Sequence, residues 1–538
     1  MKPRKIRPVM LQILGAAFLG ALLIGQTAPV EQGTPGPLEV SRFLQELKSQ
    51  AGDDFVFTPE QRAQFEPARL HELEELEIAF AKFDARGMRC VCSLKSLRKL
   101  TLFIIEVPVE SLECIQELQA LQELELSDVP LQPAVFEAVS LLKDLRQLKV
   151  TGAMVGWSLV EPLARLPRLR ELELWPAGDV SAVLETIAQI KSLRSLKLGN
   201  ARIGEDAFEH FKDLPLERLK VAGNALHTKH LFGEALRHLN AESLVELNLN
   251  YSGITDADVT KHLTRFQALR KLDLSNTDLS DAGVRSLAGL PALEELALER
   301  TGLTAASLPA LARLPRLRSL RFWKADFQDA DLKAFVEFPE LRELTLGSMQ
   351  ITAAGMRHLE ELKQLERLEL SYTRVNDAGL KSIGALTQLR ELALASTPID
   401  GSGIAHLGAL SRLEKLGLSF TKINDANLAN FAALTQLKKL DLESTKITGP
   451  GLKHLKDLTN LRSLYLTFNP VQSDDFAQLA GLTRLRRLHL DQTRLDDQAL
   501  STLARFQDLE YLMLRDTKIS AEGHRKIRAA LPRAQIFR

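Results

Sequence analysis

The chain has 538 residues, more than one globular core usually holds, so it must contain several domains or one long repeat array. Its 69 lysines and arginines balance 69 aspartates and glutamates, which leaves no net charge. We therefore expect no nucleic-acid binding and no membrane binding through a general positive charge. The charged fraction of 26% and the hydrophobic fraction of 45% are typical of a folded chain rather than a disordered one.

Residues 1–28 have the composition of an export signal. Basic residues among the first seven positions precede an apolar run over residues 9–25, and Ala28 is a candidate cleavage point. Because this run is also close to the minimum length of a membrane-spanning helix, the segment is predicted to be either a cleaved signal peptide or a retained N-terminal membrane anchor. The rest of the chain is then expected outside the cytoplasm, as a periplasmic, extracellular or membrane-anchored protein.

Two short segments precede the repeats. Residues 29–37 are rich in glycine and proline and are predicted to be a flexible tether. Residues 38–72 begin with an amphipathic helical pattern. We expect them to form an N-terminal cap, because the first unit of a repeat array otherwise exposes its apolar core.

A leucine recurs every 24 residues over most of the chain. The spacing holds in an early block and again, without insertion, over the second half; only the units in between are irregular. Such a period indicates a repeat architecture, here with 19 repeats. The repeats open at Leu73, Leu97, Leu121, Leu145, Leu169, Leu193, Leu216, Leu244, Leu269, Leu293, Leu317, Leu341, Leu365, Leu389, Leu413, Leu437, Leu461, Leu485 and Leu509.

Within a repeat, numbered 1 to 24 from its opening leucine, two periodicities follow each other. In residues 269–292, Leu272 and Leu274 at positions 4 and 6 alternate with polar residues, which predicts a strand with one buried side. Val284 and Leu287, three residues apart, then predict a short helix with one buried face. Since one unit cannot bury these faces alone, the repeats are expected to stack and share a core.

Two turn positions are polar through most of the second half. Position 9 is mostly threonine, whose hydroxyl can satisfy backbone groups, and position 12 is a residue type that caps helices. The early block has Ala81, Ile105 and Val129 at position 9, so a less regular version of the same fold is expected there. The threonines are Thr277, Thr301, Thr373, Thr397, Thr421, Thr445, Thr493 and Thr517; the candidate caps are Ser280, Thr304, Thr352, Asn376, Asp400, Asn424, Thr448, Asp496 and Ser520.

This unit resembles the leucine-rich-repeat family over residues 73–538 and is similar to bacterial repeats of the ribonuclease-inhibitor and GALA types. Threonine replaces the family's more usual asparagine at the turn. The resemblance implies an α/β fold, a curved solenoid with parallel strands on the concave face and short helices on the convex face. Residues 73–508 would form 18 repeats, and residues 509–538 the final repeat and a C-terminal cap with a closing strand.

No motif for catalysis, cofactor binding or metal binding is present. The sequence has no phosphate-binding loop, no serine-hydrolase elbow, no zinc-protease motif and no paired Cys-x-x-Cys. His227, His230 and His238 cluster in the longest repeat, but they lack the additional ligands and support that a metal site needs. We therefore expect no enzyme activity, no cofactor and no metal.

The three cysteines lie in two neighbouring early repeats. Cys90 and Cys114 share position 18, and Cys92 is close by. Because adjacent helices pack further apart than a disulfide spans, free thiols are the favoured expectation, with a Cys92–Cys114 bridge as the alternative.

Positions 3, 5 and 7 of each strand point away from the core. In the early repeats, acidic and basic residues alternate from strand to strand, which predicts cross-strand ion pairs rather than a binding field. Exposed aromatic rings favour partner binding, and packing of the rim rings on the next turn is the alternative. The candidates are Trp175, Trp323, Tyr465 and Tyr511 on the strands, and Tyr372, Phe420 and Phe468 at the rim, with the main zone expected from Trp323 to Tyr511.

Three functions are consistent with this pattern. The favoured one is a non-enzymatic exported scaffold whose concave face recognises a protein or a surface glycan. The second is a secreted effector or adaptor of the GALA kind, although no recruitment module is visible. The third, an enzyme with a site on a loop, would need convergent histidine, aspartate or cysteine residues that the sequence does not offer.

Overall fold

The computed structural model describes residues 38–43, 67–155, 160–176, 181–199, 204–222 and 232–538. The predicted signal or anchor (1–28) and tether (29–37) lie outside these residues, and so do His227 and His230. The predicted cap (38–72) is described only in part. Within the described residues, no helix has both the length and the hydrophobicity needed to cross a membrane.

The described strands form one sheet of 20 strands in which each strand pairs in parallel with the next along the chain. Pairing keeps the 24-residue register, so that Leu272 lies beside Leu296 and Leu296 beside Leu320. The strands are β1 Glu75–Ala79, β2 Lys99–Phe103, β3 Glu123–Ser127, β4 Gln147–Val155, β5 Glu171–Pro176, β6 Ser195–Gly199, β7 Arg218–Ala222, β8 Glu246–Asn248, β9 Lys271–Asp273, β10 Glu295–Ala297, β11 Ser319–Trp323, β12 Glu343–Gly347, β13 Arg367–Glu369, β14 Glu391–Ala393, β15 Lys415–Gly417, β16 Lys439–Asp441, β17 Ser463–Tyr465, β18 Arg487–His489, β19 Tyr511–Met513 and β20 Gln535–Phe537.

Short helices connect the strands on the opposite side of each coil. The α-helices are Ala85–Cys92, Pro133–Ser140, Ser181–Ile187, Phe232–Ala235, Asp256–His262, Asp281–Leu287, Leu308–Leu311, Ala353–Met356, Asp377–Ile383, Ser473–Phe476, Leu500–Leu503 and Ala521–Ala530. The 3₁₀ helices are Pro67–Glu72, Val109–Glu117, Glu161–Arg165, Glu209–Phe211, Leu236–His238, Leu263–Arg265, Ala305–Ser307, Asp329–Glu337, Arg357–Leu359, Ile404–Ala409, Asp425–Phe431, Pro450–Leu455, Ala477–Leu479 and Asp497–Ala499.

The core lies between the sheet and these helices, as the leucine pattern predicts. Leu272 and Leu274 at positions 4 and 6 are buried, and so are Val284 and Leu287 on the helix. The same positions are buried in repeat after repeat, so one continuous apolar core runs along the stack. The predicted α/β leucine-rich-repeat solenoid, with strands on the concave face and helices on the convex face, is confirmed.

Position 9 determines where each strand ends. Threonine there donates its hydroxyl hydrogen to the carbonyl of position 6 in its own repeat, as Thr421 does to Leu418 at 2.6 Å and Thr397 to Leu394 at 2.6 Å. In a longer parallel pair, that carbonyl accepts from position 7 of the next strand. Because the hydroxyl binds this carbonyl instead, the backbone pairing stops earlier and the strand has only three residues, as in β14 and β15.

Repeats with an apolar residue at position 9 keep the longer strand. Ile105, Val129, Ala325 and Met349 occupy that position, and the strands β2, β3, β11 and β12 of those repeats have five residues each. The predicted role of the threonines at the turn is confirmed, although their hydroxyls bond to carbonyls of their own repeat rather than to one another. Asn469 acts in the same way, because its side-chain amide donates to the carbonyl oxygen of Leu466.

Most of the predicted helix caps are also observed. The side chains of Ser280, Thr304, Thr352 and Asn424 accept hydrogen bonds from amides in the first turn of the helix that follows. Asp400, Asp496 and Ser520 accept comparable bonds. Asn376 makes no such bond, and Thr448 donates to a carboxylate instead.

An aspartate at position 13 links one repeat to the next. The Asp425 carboxylate accepts hydrogen bonds from the backbone amide and the hydroxyl of Thr448, at 3.0 and 2.6 Å, and from the amides of Gly449 and Gly451. These donors belong to the first turn of the following helix, whose amides have no partner within the helix. Equivalent bonds join Asp256 to Ser280, Asp281 to Thr304, Asp329 to Thr352, Asp377 to Asp400 and Asp497 to Ser520.

The expectation of free thiols is wrong for two of the three cysteines. Cys92 and Cys114 form a disulfide across neighbouring repeats, with Cα atoms 5.9 Å apart, whereas Cys90 is free and buried. The bridge is possible because Cys92 is the last residue of its helix and Cys114 lies in a 3₁₀ helix. The general spacing of packed α-helices therefore does not apply to this pair.

Candidate functional site

The outward side chains of the strands form the concave surface. In the early repeats this surface is neutralised by ion pairs between neighbouring strands, as the alternating charges predict. Lys149 lies 2.5 Å from Glu125, and Lys197 lies 2.5 Å from Glu173. Exposed pairs of this kind contribute little free energy, typically below about 1 kcal/mol each, and they leave no excess charge for a ligand.

A depression of about 440 Å³ crosses the concave face from β11 to β16, and we call it the trough. Its floor is low because small residues occupy outward positions in the middle: Ala393 and Ala395 in one repeat, Gly417 and Ser419 in the next. The full lining is Ser319, Arg321, Glu343, Leu344, Thr345, Arg367, Leu368, Glu369, Ser371, Glu391, Leu392, Ala393, Ala395, Lys415, Leu416, Gly417, Ser419, Lys439 and Asp441.

One wall of the trough, at position 3 of the strands, is a row of alternating charges. Arg367 lies 3.0 Å from Glu343 and 3.3 Å from Glu391, and Lys415 lies 2.7 Å from Glu391. Each of these cations therefore contacts at least one carboxylate. The row fixes its side chains against one another and is close to neutral as a whole.

Trp323 lies at the β11 end of the trough. A Cβ atom added to Gly347, its neighbour on β12, would lie only 2.2 Å from the indole ring, so the ring covers this glycine. The centroids of Trp323 and Tyr372 are 5.8 Å apart in an edge-to-face arrangement. Trp175 covers Gly199 in the same way on β5 and β6, but it lies six strands away from Trp323.

The rim aromatics occupy a strained backbone position. Fifteen non-glycine residues from Phe80 to Asp516, all at position 8 of their repeats, have φ between 50° and 61°, in the left-handed region. Glycine and asparagine adopt this conformation easily, whereas large rings do so rarely. Tyr372, Phe420 and Phe468 nevertheless occupy it with 58%, 56% and 50% of their surface exposed. About half or more of the surface of each ring is therefore exposed to solvent, and binding of a partner by these rings stays a prediction.

Beyond the trough, aromatic rings on the last strands contact cations. The Lys439 ammonium lies 4.9 Å from the centroid of Tyr465, whose other neighbour is His489 at 4.3 Å. The Arg487 guanidinium lies 5.1 Å from the centroid of Tyr511. These rings are thus partly covered by side chains of the protein itself.

Four carboxylates near the trough form no ion pair with a lysine or arginine in the described part of the chain: Glu369, Asp441, Glu443 and Asp491. Burial raises the pKa of Glu369. Burial, and then the charges of Asp441 and Asp491, raise the pKa of Glu443, and burial also raises the pKa of Asp491. Asp441, Glu443 and Asp491 therefore form a cluster of carboxylates close enough for their charges to interact.

The structure brings part of the predicted set together. Tyr372 and Phe420 directly follow the lining residues Ser371 and Ser419 in the chain, and Trp323 lies on β11, the first strand of the lining. Tyr465 lies one strand beyond the lining. Phe468 continues the rim, Tyr511 lies three strands further than the trough, and Trp175 is remote from it. The small floor residues and the unpaired carboxylates were not predicted from the sequence, although Ala393, Ala395, Gly417 and Ser419 are small residues at positions 5 and 7.

Nothing in this arrangement indicates catalysis. Among the described residues, no three histidine, cysteine, aspartate or glutamate side chains are placed to hold a metal ion. His238 of the irregular repeat lies 3.7 Å from Asp206 and 3.0 Å from Arg237. The chemistry that the concave face offers is aromatic contact, hydrogen bonding and charge complementarity, which are the means of recognising another molecule.

A family model described as a leucine-rich repeat region matches residues 113–378 and 350–536. No curated protein matches the sequence significantly. Solved structures with the same kind of fold include a leucine-rich-repeat protein of Leptospira interrogans, 21% identical, with a TM-score of 0.38, covering 82% of this chain and 95% of that one. An internalin of Listeria monocytogenes is 18% identical, with a TM-score of 0.31 and coverages of 80% and 97%.

A third similar structure is the TLR13–ssRNA13 complex, 16% identical, with a TM-score of 0.48 and coverages of 80% and 83%. The match to the family model extends over most of the solenoid. The chain belongs to the leucine-rich-repeat family.

Proposed function

We propose that this protein is a non-enzymatic binding scaffold whose trough holds an extended segment of a partner protein. Proteins of the leucine-rich-repeat family generally act as binding scaffolds, which supports this class of function. The observation that carries the proposal is the trough itself, where small floor residues lie beside exposed aromatic rings. Trp323, Tyr372 and Phe420 are large rings where the sheet and the turn need none, and such rings are typical binding hot spots.

The partner is proposed to be met outside the cytoplasm. Two features support this location: the export-type composition of residues 1–28, and the Cys92–Cys114 disulfide, a bond that persists mainly in oxidising compartments. Fractionation of the native host, with detection of the full chain, tests the location. A chain found only in the cytoplasmic fraction would contradict it.

The binding role is tested by filling the trough. Gly417→Trp places a large ring on the floor without touching the core, and Thr101→Trp makes a similar change at the equivalent position 5 of β2, far from the trough. Both variants are expected to unfold at the temperature of the wild type. Wild type and Thr101→Trp should capture the same partner from native extracytoplasmic material, and Gly417→Trp should lose it.

Alanine substitution of Trp323, Tyr465 and Tyr511 tests the aromatic residues separately. Loss of a large hot-spot ring typically weakens binding by about 2 kcal/mol or more, which is roughly 30-fold. We expect the largest loss for Trp323, since it contacts both Gly347 and the ring of Tyr372 at the end of the trough. Equal binding by Gly417→Trp and wild type would reject the trough as the site.

A further inference from the structure

Three properties of the trough together restrict what it can hold: its length, its floor and the charges around it. The lining extends over six consecutive strands, β11 to β16. At about 4.8 Å between strands this is roughly 24 Å, the length of about seven residues of extended chain. The small floor residues Ala393 and Gly417 leave room for the backbone of an extended chain.

Four cations and four carboxylates line the trough, but they are not all paired with one another. Arg367 and Lys415 are held by Glu343 and Glu391, as described above, and Arg321 lies 3.5 Å from Glu299. Lys439 remains as a lining cation without a carboxylate contact in the described part of the chain, and it is placed over the Tyr465 ring. Against this single ammonium stand Glu369 and Asp441 in the lining, with Glu443 and Asp491 outside it.

Glu369 accepts a hydrogen bond from the Ser371 amide at 2.6 Å, and two more of these carboxylates are also oriented by the backbone. Asp441 accepts a hydrogen bond from the Glu443 amide at 3.0 Å, and Asp491 accepts one from the Arg515 amide at 2.7 Å. Each uses one oxygen in this way. Among the described residues, the second oxygen of each has no hydrogen-bond partner. These oxygens and the exposed rings of Phe420 and Phe468 are the two kinds of group that recognise lysine and arginine side chains.

From this charge complementarity we infer that the occupant of the trough is an extended, basic segment of a partner protein, with its lysine or arginine side chains directed toward Asp441, Glu443 and Asp491. This inference rests on the proposed function and specifies the chemistry of its ligand. The same unpaired carboxylates would repel the phosphates of a nucleic acid, so a protein segment is favoured over an RNA or DNA strand.

The test uses selection from a random library of displayed peptides of about ten residues, long enough to fill the trough. Selected peptides are synthesised with a fluorescent label, and their affinity is measured by anisotropy at low and high salt. Besides wild type, the proteins are Gly417→Trp, the isosteric double variant Asp441→Asn with Glu443→Gln, and a control that removes two carboxylates elsewhere on the face, Glu75→Gln with Glu77→Gln.

We expect the selected peptides to contain more lysine and arginine than the starting library and to bind more weakly at high salt. The Asp441/Glu443 double variant should bind them about 10-fold more weakly, as expected for the loss of charge-assisted contacts. The Glu75/Glu77 variant should bind them like wild type.

The outcomes separate the two claims. Peptides that need Gly417 but show no excess of basic residues, or that bind the Asp441/Glu443 variant unchanged, would overturn the basic ligand and leave the binding scaffold intact. If every selected peptide binds Gly417→Trp as tightly as wild type, both the proposed binding role of the trough and the inferred basic ligand are contradicted. A labelled oligonucleotide that binds wild type but not Gly417→Trp would likewise contradict the inference.

Discussion

The early repeats around β1–β3 and the late repeats around β13–β19 bury leucines at the same positions, but their strands end in different ways. The early repeats have apolar residues at position 9 and continue the backbone hydrogen bonds of the strand for five residues. The late repeats use a side chain at position 9 to end the strand after three. The late repeats also carry the carboxylates that bond to the next helix, whereas the early ones carry the disulfide.

This difference shows that the leucine framework sets the fold, while a few polar turn residues set the local details. The trough lies mainly where the strands are short and the outward residues are small. Since each repeat contacts mainly its neighbours, the two regions can be perturbed separately. The following predictions use this separation, from the largest expected effect to the smallest.

Removal of the disulfide should destabilise the early repeats only. The bridge closes a loop between residues 22 apart, for which the loss is about 3 kcal/mol in the free energy of unfolding. In Cys114→Ala, hydrogen exchange should become faster from β1 to β3 and stay unchanged from β13 to β19. Cys90→Ala, which keeps the bridge, is the control for loss of a buried side chain. Equal acceleration in both regions would show that they are not independent.

Asp425→Ala should have a smaller effect, confined to the late repeats. The substitution leaves the hydroxyl and amide of Thr448 and the amides of Gly449 and Gly451 without their acceptor. We expect a loss of about 2 kcal/mol, measured by denaturant unfolding and local hydrogen exchange. Asp457→Ala, at an exposed aspartate of the following repeat, which also contains Thr448, should be neutral.

Acid should weaken the same contacts. The loss of stability should be smaller than that caused by Asp425→Ala at neutral pH, because acid protonates the Asp425 carboxylate only in part. Burial opposes ionisation of Asp425, but hydrogen bonds from Thr448, Gly451 and Gly449 outweigh it and lower its pKa. Hydrogen bonds from Ser520 likewise lower the pKa of Asp497. Because the pKa of these carboxylates is lower in the folded than in the unfolded chain, their stabilising effect is complete at a pH well above the unfolded pKa of about 4. The effect is lost as the pH falls from the unfolded pKa toward the folded pKa.

The measurement for this prediction is local. Exchange at the amides of Thr448, Gly449 and Ser520, corrected for the intrinsic pH dependence, should accelerate below about pH 4. Carboxylates with raised pKa values, such as Glu443 and Asp491, act in the opposite direction, so a global melting curve is unsuitable. Unchanged protection of these turn amides down to pH 3 or so would contradict the assignment.

Thr421→Val should cost about 1 kcal/mol, the usual contribution of one buried hydrogen bond. The valine keeps the shape but leaves the Leu418 carbonyl for the backbone of the next strand, which converts a late repeat toward the early type. The reciprocal change, Val129→Thr, should be tolerated better than a buried hydroxyl usually is, because the Leu126 carbonyl at position 6 is within its reach. The thermal unfolding temperatures of both variants test whether the threonine turn and the apolar turn can replace each other.

Phe420→Asn should have the smallest effect on stability and a clear effect on binding. Asparagine tolerates the left-handed conformation better than phenylalanine, so stability should be unchanged or higher by about 0.5 kcal/mol. Phe431→Ala, in the core of the same repeat, should lose about 3 kcal/mol or more. A large loss of stability in Phe420→Asn would mean that the ring packs rather than binds.

The period, the buried leucines, the threonine turns and most helix caps could be predicted from the sequence, because each depends on contacts within a repeat. The Asp425-type bonds were missed, although aspartate recurs at position 13, because their donors lie in the following repeat. The left-handed conformation of position 8 was also missed. Residues as different as Arg300, Ser348 and Phe420 occupy it, so no residue type marks the position.

The site was predictable only in part, for a similar reason. Aromatic residues at outward positions indicated Trp323 and Tyr372 directly. The trough is instead a property of several adjacent strands, since it depends on Ala393 and Gly417 being small beside larger neighbours. The Cys92–Cys114 pairing likewise required knowing that one partner lies in a 3₁₀ helix.

The pairing of every strand with its immediate neighbour in the chain has a consequence for biogenesis. No contact in the sheet has to wait for a distant part of the polypeptide, so assembly can proceed in the direction of synthesis, each newly emerged coil using the previous one as its template. If the chain is exported as proposed above, it can therefore acquire its native shape progressively on the far side of a translocation channel, while its remaining coils are still unfolded.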